Sequence, residues 1–409
     1  MNTPQFEHKN LRKTILFVES GTYGGGSAES LYQFLKYIDR DVFEPIVFFL
    51  NYNHYCEKIS NLGISYVVFS HWLYNKEFNQ NHGILIKWFW RFYSRLLRIF
   101  PQISIFCESG INYKVIKKIQ RLVQKENVQL IHTNNQVDRD IYAIEAARKE
   151  QVKCVAHLRS FNSHLFNSKK AEYINKHVNQ IIAFTRNASC HWASAGVAEQ
   201  KIQVINNAIE NIEVKPLNLC EEFNLPLQSF TIGIVGRIIS ERGHIFLINA
   251  FSKVEKIIPN SYLIIIGEGD DQDVEPLKQR VQELKLSSKV IFSGYYPNAQ
   301  DIIAALNVLV LPYKIEPFGR VVLEAWQLKT PVILTRIGFI EEFVKHKETG
   351  LLVDYADMNQ LTRAIVQIYS DNYLRESIVE KAYKNCQEKY SIQNYTNIIQ
   401  KIYLKLLNI

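Results

Sequence analysis

The feature that most constrains this chain is a rhythm that is broken once and then restarted. Short apolar, β-branched runs alternate with amphipathic helical stretches, which is the pattern of parallel βαβ units rather than of hairpins. The first series runs TILFVE (14–19), EPIVFFL (44–50), SYVVF (65–69), VQLIHT (128–133), KCVAHL (153–158), QIIAFT (180–185) and IQVIN (202–206). The stretch ENIEVKPLNLCEEFNLPLQS (210–229) then holds two prolines and no clear period. The rhythm resumes at FTIGIVG (230–236), YLIIIG (262–267), KVIFSG (289–294), VLVLP (308–312) and PVILT (331–335). This predicts an α/β protein of two doubly wound, Rossmann-like domains, 1–209 and 230–389, joined by a linker at 210–229. A length of 409 residues suits two such domains. Facing across a cleft, they would bind ligand outside the carboxyl ends of their strands. The last stretch, 390–409, reads as an amphipathic helix that can cap the second domain or pack back on the first.

Composition narrows the function classes. The six cysteines are scattered with no CxxC pair, which argues against a zinc site or disulfide framework and fits a reducing compartment. The start, MNTPQFEHKNLRK, lacks an apolar signal core, and no apolar run reaches the roughly 18 residues of a spanning helix. A cytoplasmic protein is expected, with no nucleic-acid partner. Residues 1–210 hold 26 Lys and Arg against 17 Asp and Glu, whereas 211–409 hold 22 against 23. The first half is therefore the one expected to meet an anionic surface or ligand.

Three stretches carry candidate chemistry. In KIEPFGRVVLEAW (314–326), Glu316 precedes a proline and so lies in extended backbone. Gly319 permits close backbone approach, and a helix beginning near Arg320 offers unpaired N–H groups to an anion. Glu324 stands about one turn inside that helix. The two glutamates either bracket a phosphate seat or are exposed acids at a loop–helix junction. In IGIVGRIISERGH (232–244), Arg237 and Arg242 follow a strand beside glycines, an arrangement suited to a clamp on phosphate oxygens. In SGTYGGGSAES (20–30), Gly24, Gly25 and Gly26 open a helix without the pattern of a P-loop, and read as a sugar-phosphate seat or a tight turn. Two formal DxD strings, at Asp271–Asp273 and Asp138–Asp140, are not expected to bind metal.

A further stretch, ILIKWFWRFYSRLLRIFPQ (84–102), places Lys87, Arg91, Arg95 and Arg98 on one helical face, with Trp88 and other aromatics covering the rest. Two readings are open: an interfacial helix at an anionic membrane, or a helix packed on the domain. A second basic helix follows at 113–127.

Taken together, the chain resembles a retaining glycosyltransferase of the GT-B fold, specifically of glycosyltransferase family 4. The resemblance is carried in order by GGGSAES (24–30), IIAFTRNASCHWASAGVAEQKIQVINNAIE (181–210), IGIVGRIISERGHIFLINAF (232–251), LIIIGEGD (263–270), VIFSGY (290–295), PYKIEPFGRVVLEAW (312–326) and PVILTRIGFIEEFVKHKETGLLV (331–353). The Glu316–Glu324 segment, fitting a Glu-x7-Glu motif, is the most specific. The resemblance implies that Arg237 and Arg242 bind the donor diphosphate, with arginine standing at the second site where the family usually has lysine. It further implies that Glu324 holds the ribose, and that Glu316 and His157 act at the transferred sugar. Gly25, Gly26 and the backbone N–H groups of Phe318, Gly319 and Arg320 would lie near sugar and phosphate. His132, Asn134 and Arg159 would face the acceptor. Asn207-Ala208 replaces the usual Asn-Gly, and Phe339 replaces a glycine.

The expected reaction moves a sugar from a nucleoside-diphosphate sugar to an acceptor hydroxyl on a glycan or lipid, without metal or other cofactor. Retention would come from same-face attack assisted by the leaving diphosphate, in cell-surface polysaccharide or glycolipid synthesis, with the protein either free in the cytoplasm or peripheral on the inner face of the membrane. A nucleotide-sugar epimerase of the same architecture and a non-catalytic partner of another transferase are the rival readings.

Overall fold

The computed structural model describes residues 12–21, 26–70, 95, 104–159, 166–211, 213–314, 319–338 and 340–409. The chain divides into two compact units, one of residues up to Asn207 together with Ile392–Ile409, the other Ala208–Ser391.

In the first unit the order is β1 (Lys13–Glu19), α1 (Gly26–Tyr37), β2 (Phe43–Phe49), α2 (Tyr55–Asn61), β3 (Ser65–Val68), α3 (Ser104–Ile111), α4 (Tyr113–Lys125), β4 (Val128–Thr133), α5 (Ile141–Glu150), β5 (Lys153–Leu158), α6 (Ser168–His177), β6 (Gln180–Ala183), α7 (Arg186–Ser194) and β7 (Ile202–Val204). The strands form one parallel sheet in the order β3-β2-β1-β4-β5-β6-β7. A strand covered on both faces should read as a continuous apolar run. That is why Ile15, Leu16, Phe17 and Val18 are all fully buried. Helix α4 instead buries Val115, Ile116, Ile119, Leu122 and Val123, an i, i+1, i+4, i+7, i+8 stripe against the sheet. Asn167 and Thr185 cap α6 and α7 by accepting the backbone N–H groups of Lys170 and Ala188.

The second unit contains α8 (Leu219–Glu222), β8 (Phe230–Val235), α9 (His244–Ile257), β9 (Ser261–Ile266), α10 (Asp271–Glu283), β10 (Val290–Gly294), α11 (Ala299–Ala305), β11 (Val308–Leu311), α12 (Arg320–Gln327), β12 (Val332–Thr335), β13 (Leu351–Val353), α13 (Met358–Ser370) and α14 (Asn372–Lys389). Its sheet is also parallel, ordered β10-β9-β8-β11-β12-β13. Strand β13 was not expected, because three apolar residues are too short to show a period. The 210–229 stretch falls within this unit, where Asn218 caps the short α8.

The final helix, α15 (Ile392–Leu407), packs on the first unit, contacting α1 and β4. Its buried stripe is Ile392, Tyr395, Ile399, Ile402 and Tyr403. The Tyr403 ring is fully buried and edge-on to Phe17, Phe34 and Phe43, with centroids 6.4, 6.3 and 5.7 Å away. The choice between the two hosts was thus made by an aromatic socket assembled from β1, α1 and β2.

Candidate functional site

In the second unit the candidate residues gather where β8 and β11 end. Beyond β8, Gly236 has φ +139°, a conformation side-chain-bearing residues rarely adopt, and a Cβ on Gly267 would fall 2.1 Å from its carbonyl oxygen. A 3₁₀ turn, Ser240–Arg242, precedes Gly243, whose φ is +71°. A Cβ on Gly243 would lie 1.9 Å from the Pro312 carbonyl oxygen, so only glycine lets this turn lie against the chain leaving β11. The Lys314 N–H donates to the Glu241 carbonyl at 2.8 Å and ties the two segments together.

The consequence is the placement of Arg242. Its guanidinium carbon lies 4.6 Å from the centre of the Tyr313 ring, and its Nη1 donates to the Tyr313 hydroxyl. Tyr313 is 2% exposed, and burial raises its phenol above the ordinary value, so it stays protonated. A buried aromatic face and an oriented hydroxyl together hold the guanidinium in one direction. Arg237 is exposed at the same sheet edge. Tyr313 was missed at sequence level. The available signal was an aromatic directly following an apolar strand and Pro312.

Helix α12 begins at Arg320 with Gly319 at its N-cap. Arg320 and Glu324, both mostly buried, form an i, i+4 pair with Nε and Oε1 3.7 Å apart, and Arg320 Nη1 donates to the Ala208 carbonyl at 3.4 Å. The helix is anchored by Trp326, whose ring N–H donates to the Thr349 carbonyl at 2.9 Å. Glu316 and Phe318 lie outside the described residues, as does Gly25. Gly26 opens α1.

In the first unit the carboxyl ends of three adjacent strands, β1, β4 and β5, are joined by a buried polar network. Glu19, fully buried, accepts from the Gly21 N–H at 2.8 Å, from the Ser27 hydroxyl at 3.2 Å and from the Asn134 amide. Burial pushes its carboxyl above the usual range, against these hydrogen bonds and the nearby Arg159. Arg159 donates to the Asn134 carbonyl at 2.8 Å, and to Asn134 Oδ1 and Asn207 Oδ1, both at 3.0 Å. It also donates to the Tyr395 hydroxyl at 3.3 Å.

His157 and His132 continue the chain, with His157 Nδ1 2.8 Å from His132 Nε2. His132 Nδ1 meets the Tyr403 hydroxyl, and His157 Nε2 lies 3.3 Å from the Tyr395 hydroxyl. Burial holds His132 down to about 3 and His157 well below its ordinary value, with Arg159 adding to both, so both rings are neutral. Each is 2% exposed with both nitrogens engaged. Instead of open rings at a sugar and an acceptor, the structure has two enclosed rings that tie β4 and β5 to α15. Asn134 is likewise buried, between Glu19 and Arg159. This network can brace the start of the glycine-rich stretch through Gly21 and Ser27. Glu19, Tyr395 and Tyr403 were not singled out from sequence. The signal for Glu19 was a carboxylate closing an otherwise apolar strand.

Of the four cations expected at a membrane, Lys87, Arg91 and Arg98 lie outside the described residues, with Trp88. Arg95 is helical and exposed. Of the DxD strings, Asp138 and Asp140 are buried, and burial pushes Asp140 up to about 7. Asp271 and Asp273 sit in the first turn of α10.

Comparison with known proteins places this geometry in context. Residues 219–385 match the family described as glycosyl transferases group 1. The lipopolysaccharide core biosynthesis glycosyltransferase LpsE of Rhizobium meliloti is 29% identical over 235 residues, 55% of this chain and 66% of its own. The UDP-Gal:alpha-D-GlcNAc-diphosphoundecaprenol alpha-1,3-galactosyltransferase of Escherichia coli is 25% identical over 309 residues, covering 71% of this chain and 77% of its own. The match spans between 53% and 66% of the first four curated relatives' lengths. Among solved structures, Anabaena HepE in complex with UDP and glucose superposes with a TM-score of 0.77 at 19% identity, over 96% of this chain and all of that one. Sucrose-phosphate synthase from Thermosynechococcus elongatus gives 0.72 at 17% identity, over 97% and 100%. The fold is that of two Rossmann-like, parallel-sheet domains, as in GT-B glycosyltransferases.

Proposed function

We propose that this chain, whose residues 219–385 match the glycosyl transferases group 1 family, transfers a sugar from a nucleoside-diphosphate sugar to an acceptor hydroxyl with retention of configuration. The setting is the synthesis of a cell-surface polysaccharide or glycolipid, the kind of work for which its lipopolysaccharide and diphosphoundecaprenol relatives are named.

The observation that carries this reading is Arg242, held by Tyr313 at the carboxyl edge of the second sheet beside Arg237. Breaking the bond from sugar to diphosphate leaves negative charge on the departing phosphate. Fixed guanidinium groups and the amino end of α12 oppose that charge without reorganising at the moment of reaction. Retention follows when the acceptor enters on the face the diphosphate leaves, with a phosphate oxygen taking the acceptor's proton. Glu324 accepts from the ribose hydroxyls and Glu316 from those of the transferred sugar. No divalent metal is required, because the charge is already supplied by the chain.

The test uses UDP, GDP, ADP and dTDP in thermal-shift screening, then calorimetry with the best binder. Glu324→Ala should weaken nucleotide binding. Glu316→Ala should spare it yet slow turnover by about 10²–10³, the scale of a transition-state contact. A chain stabilised by none of the four nucleotides, or equal nucleotide affinity in both variants and the wild type, refutes the assignment.

A further inference from the structure

Away from these networks, one face of the first unit carries a row of exposed cations, of which Lys117 lies over the Tyr113 ring, 5.9 Å from its centre. Helix α4 points Lys114, Lys117, Lys118, Arg121 and Lys125 outward, all exposed, at the spacing i, i+3, i+4, i+7, i+11. These positions fall within one narrow arc of the helix, opposite the stripe it buries. Lys125 pairs with Glu126. Among the described residues, Lys114, Lys117, Lys118 and Arg121 have no acid within ion-pair distance. At the flank, Glu150 is taken up by the Gln120 and Gln124 amides.

Tyr113, the first residue of α4, is also the lip of a groove of about 730 Å³ between α3, α5 and α6. The groove is lined by Phe106, Tyr113, Arg148, Lys149 and Lys176. Its acid, Glu145, is already satisfied by both Arg148 and Lys149 and by the Tyr173 hydroxyl. Phe106 is 80% exposed and Tyr113 56% exposed. The only acid of α3, Glu108, is turned inward onto buried Lys170. Among the described residues the outer face of α3 and α4 therefore presents mainly cations and aromatic rings, with Glu126 paired to Lys125 and Glu150 hydrogen-bonded to the two glutamine amides.

We propose that this face docks on the surface of an anionic lipid bilayer. Unscreened lysines and arginines along one helix are drawn to acidic headgroups. An aromatic ring standing in water gains by entering the headgroup boundary, which a soluble polyanion does not offer. No helix among the described residues is long and apolar enough to cross a membrane. The twenty residues preceding α3, 84–103, hold four cations and no acid. The docking face assigned here does not include them, and the test leaves them intact. The inference is independent of the transfer reaction.

The experiment is co-sedimentation of the full chain with vesicles of phosphatidylcholine alone or with 30% phosphatidylglycerol, a composition chosen to be about one-third anionic. The variants are Phe106→Ser and the quadruple Lys114→Gln, Lys117→Gln, Lys118→Gln, Arg121→Gln. Glutamine keeps helix propensity close to that of lysine. The wild type should bind the anionic vesicles and not the neutral ones, and weaken as salt rises. Each cation contributes about fivefold, so the quadruple variant should bind several hundredfold more weakly at low salt. Phe106→Ser should weaken binding about tenfold at both low and high salt, since apolar insertion is not screened. Unchanged melting temperature and nucleotide affinity in both variants show that fold and donor site are intact. Wild type left in the supernatant with anionic vesicles, a quadruple variant within tenfold of wild type, or binding to soluble heparin but not to vesicles would each overturn the proposal.

Discussion

Removing a single oxygen from Tyr313 should weaken a ligand that Tyr313 is not proposed to touch. The Arg242 guanidinium rests on the Tyr313 ring and donates to its hydroxyl, and the ring itself is buried. Tyr313→Phe keeps the ring, so the cation–π contact of roughly 1–2 kcal/mol survives. What is lost is the hydrogen bond that fixes the direction of the guanidinium. An arginine side chain carries about 2 kcal/mol of rotamer entropy, and freeing part of it should cost binding about 1–1.5 kcal/mol, or roughly tenfold. Arg242→Ala removes the charge-assisted contact itself, about 1.5–3 kcal/mol, or roughly tenfold to a hundredfold. If Tyr313 acts only through Arg242, Tyr313→Phe should add nothing in an Arg242→Ala background, and a double-mutant cycle by calorimetry with the nucleoside diphosphate measures that coupling. Equal affinity of wild type and Arg242→Ala would remove the clamp. Fully additive effects would show that Tyr313 works by another route.

Three further outcomes are expected. Ending the chain at Ser391 removes five buried aliphatic and aromatic side chains, Ile392, Tyr395, Ile399, Ile402 and Tyr403. At about 1.5–3 kcal/mol each, an upper bound of roughly 8–15 kcal/mol rivals a domain's whole stability, so the first unit should lose its cooperative melting transition; a retained transition refutes this. His132 has its proton affinity lowered by burial to about 3, so its stabilisation is complete above pH 6.5 and declines as pH falls below it. Between pH 7.5 and 5 the unfolding free energy of His132→Gln should therefore fall about 2 kcal/mol less than that of the wild type, and parallel curves would count against the buried neutral ring. Excess EDTA should leave nucleotide affinity unchanged, whereas loss restored by magnesium or manganese would show that a cation shares the diphosphate site.

What the sequence determined by itself was everything set by local period and local chemistry. Twelve of the thirteen strands among the described residues were legible, most of them because a strand covered on both faces must be apolar throughout. The restart of that rhythm after residue 229 marked a second Rossmann-like unit, and the Glu-x7-Glu segment and the two arginines supplied the candidate residues on which the proposed function rests. Tertiary structure alone decided which distant residues meet. Arg242 and Tyr313 are 71 positions apart and come together because Gly243 has no Cβ to hold its turn off Pro312. Tyr403 reaches His132 across 271 positions because Phe17, Phe34 and Phe43 form a socket on the first unit. That contact also turned His132 and His157 from expected ligands of a sugar and an acceptor into neutral links of a buried network. Period encodes which face of an element is apolar, but not which other apolar face will cover it; that depends on shape and on hydrogen bonds that exist only once the chain has closed.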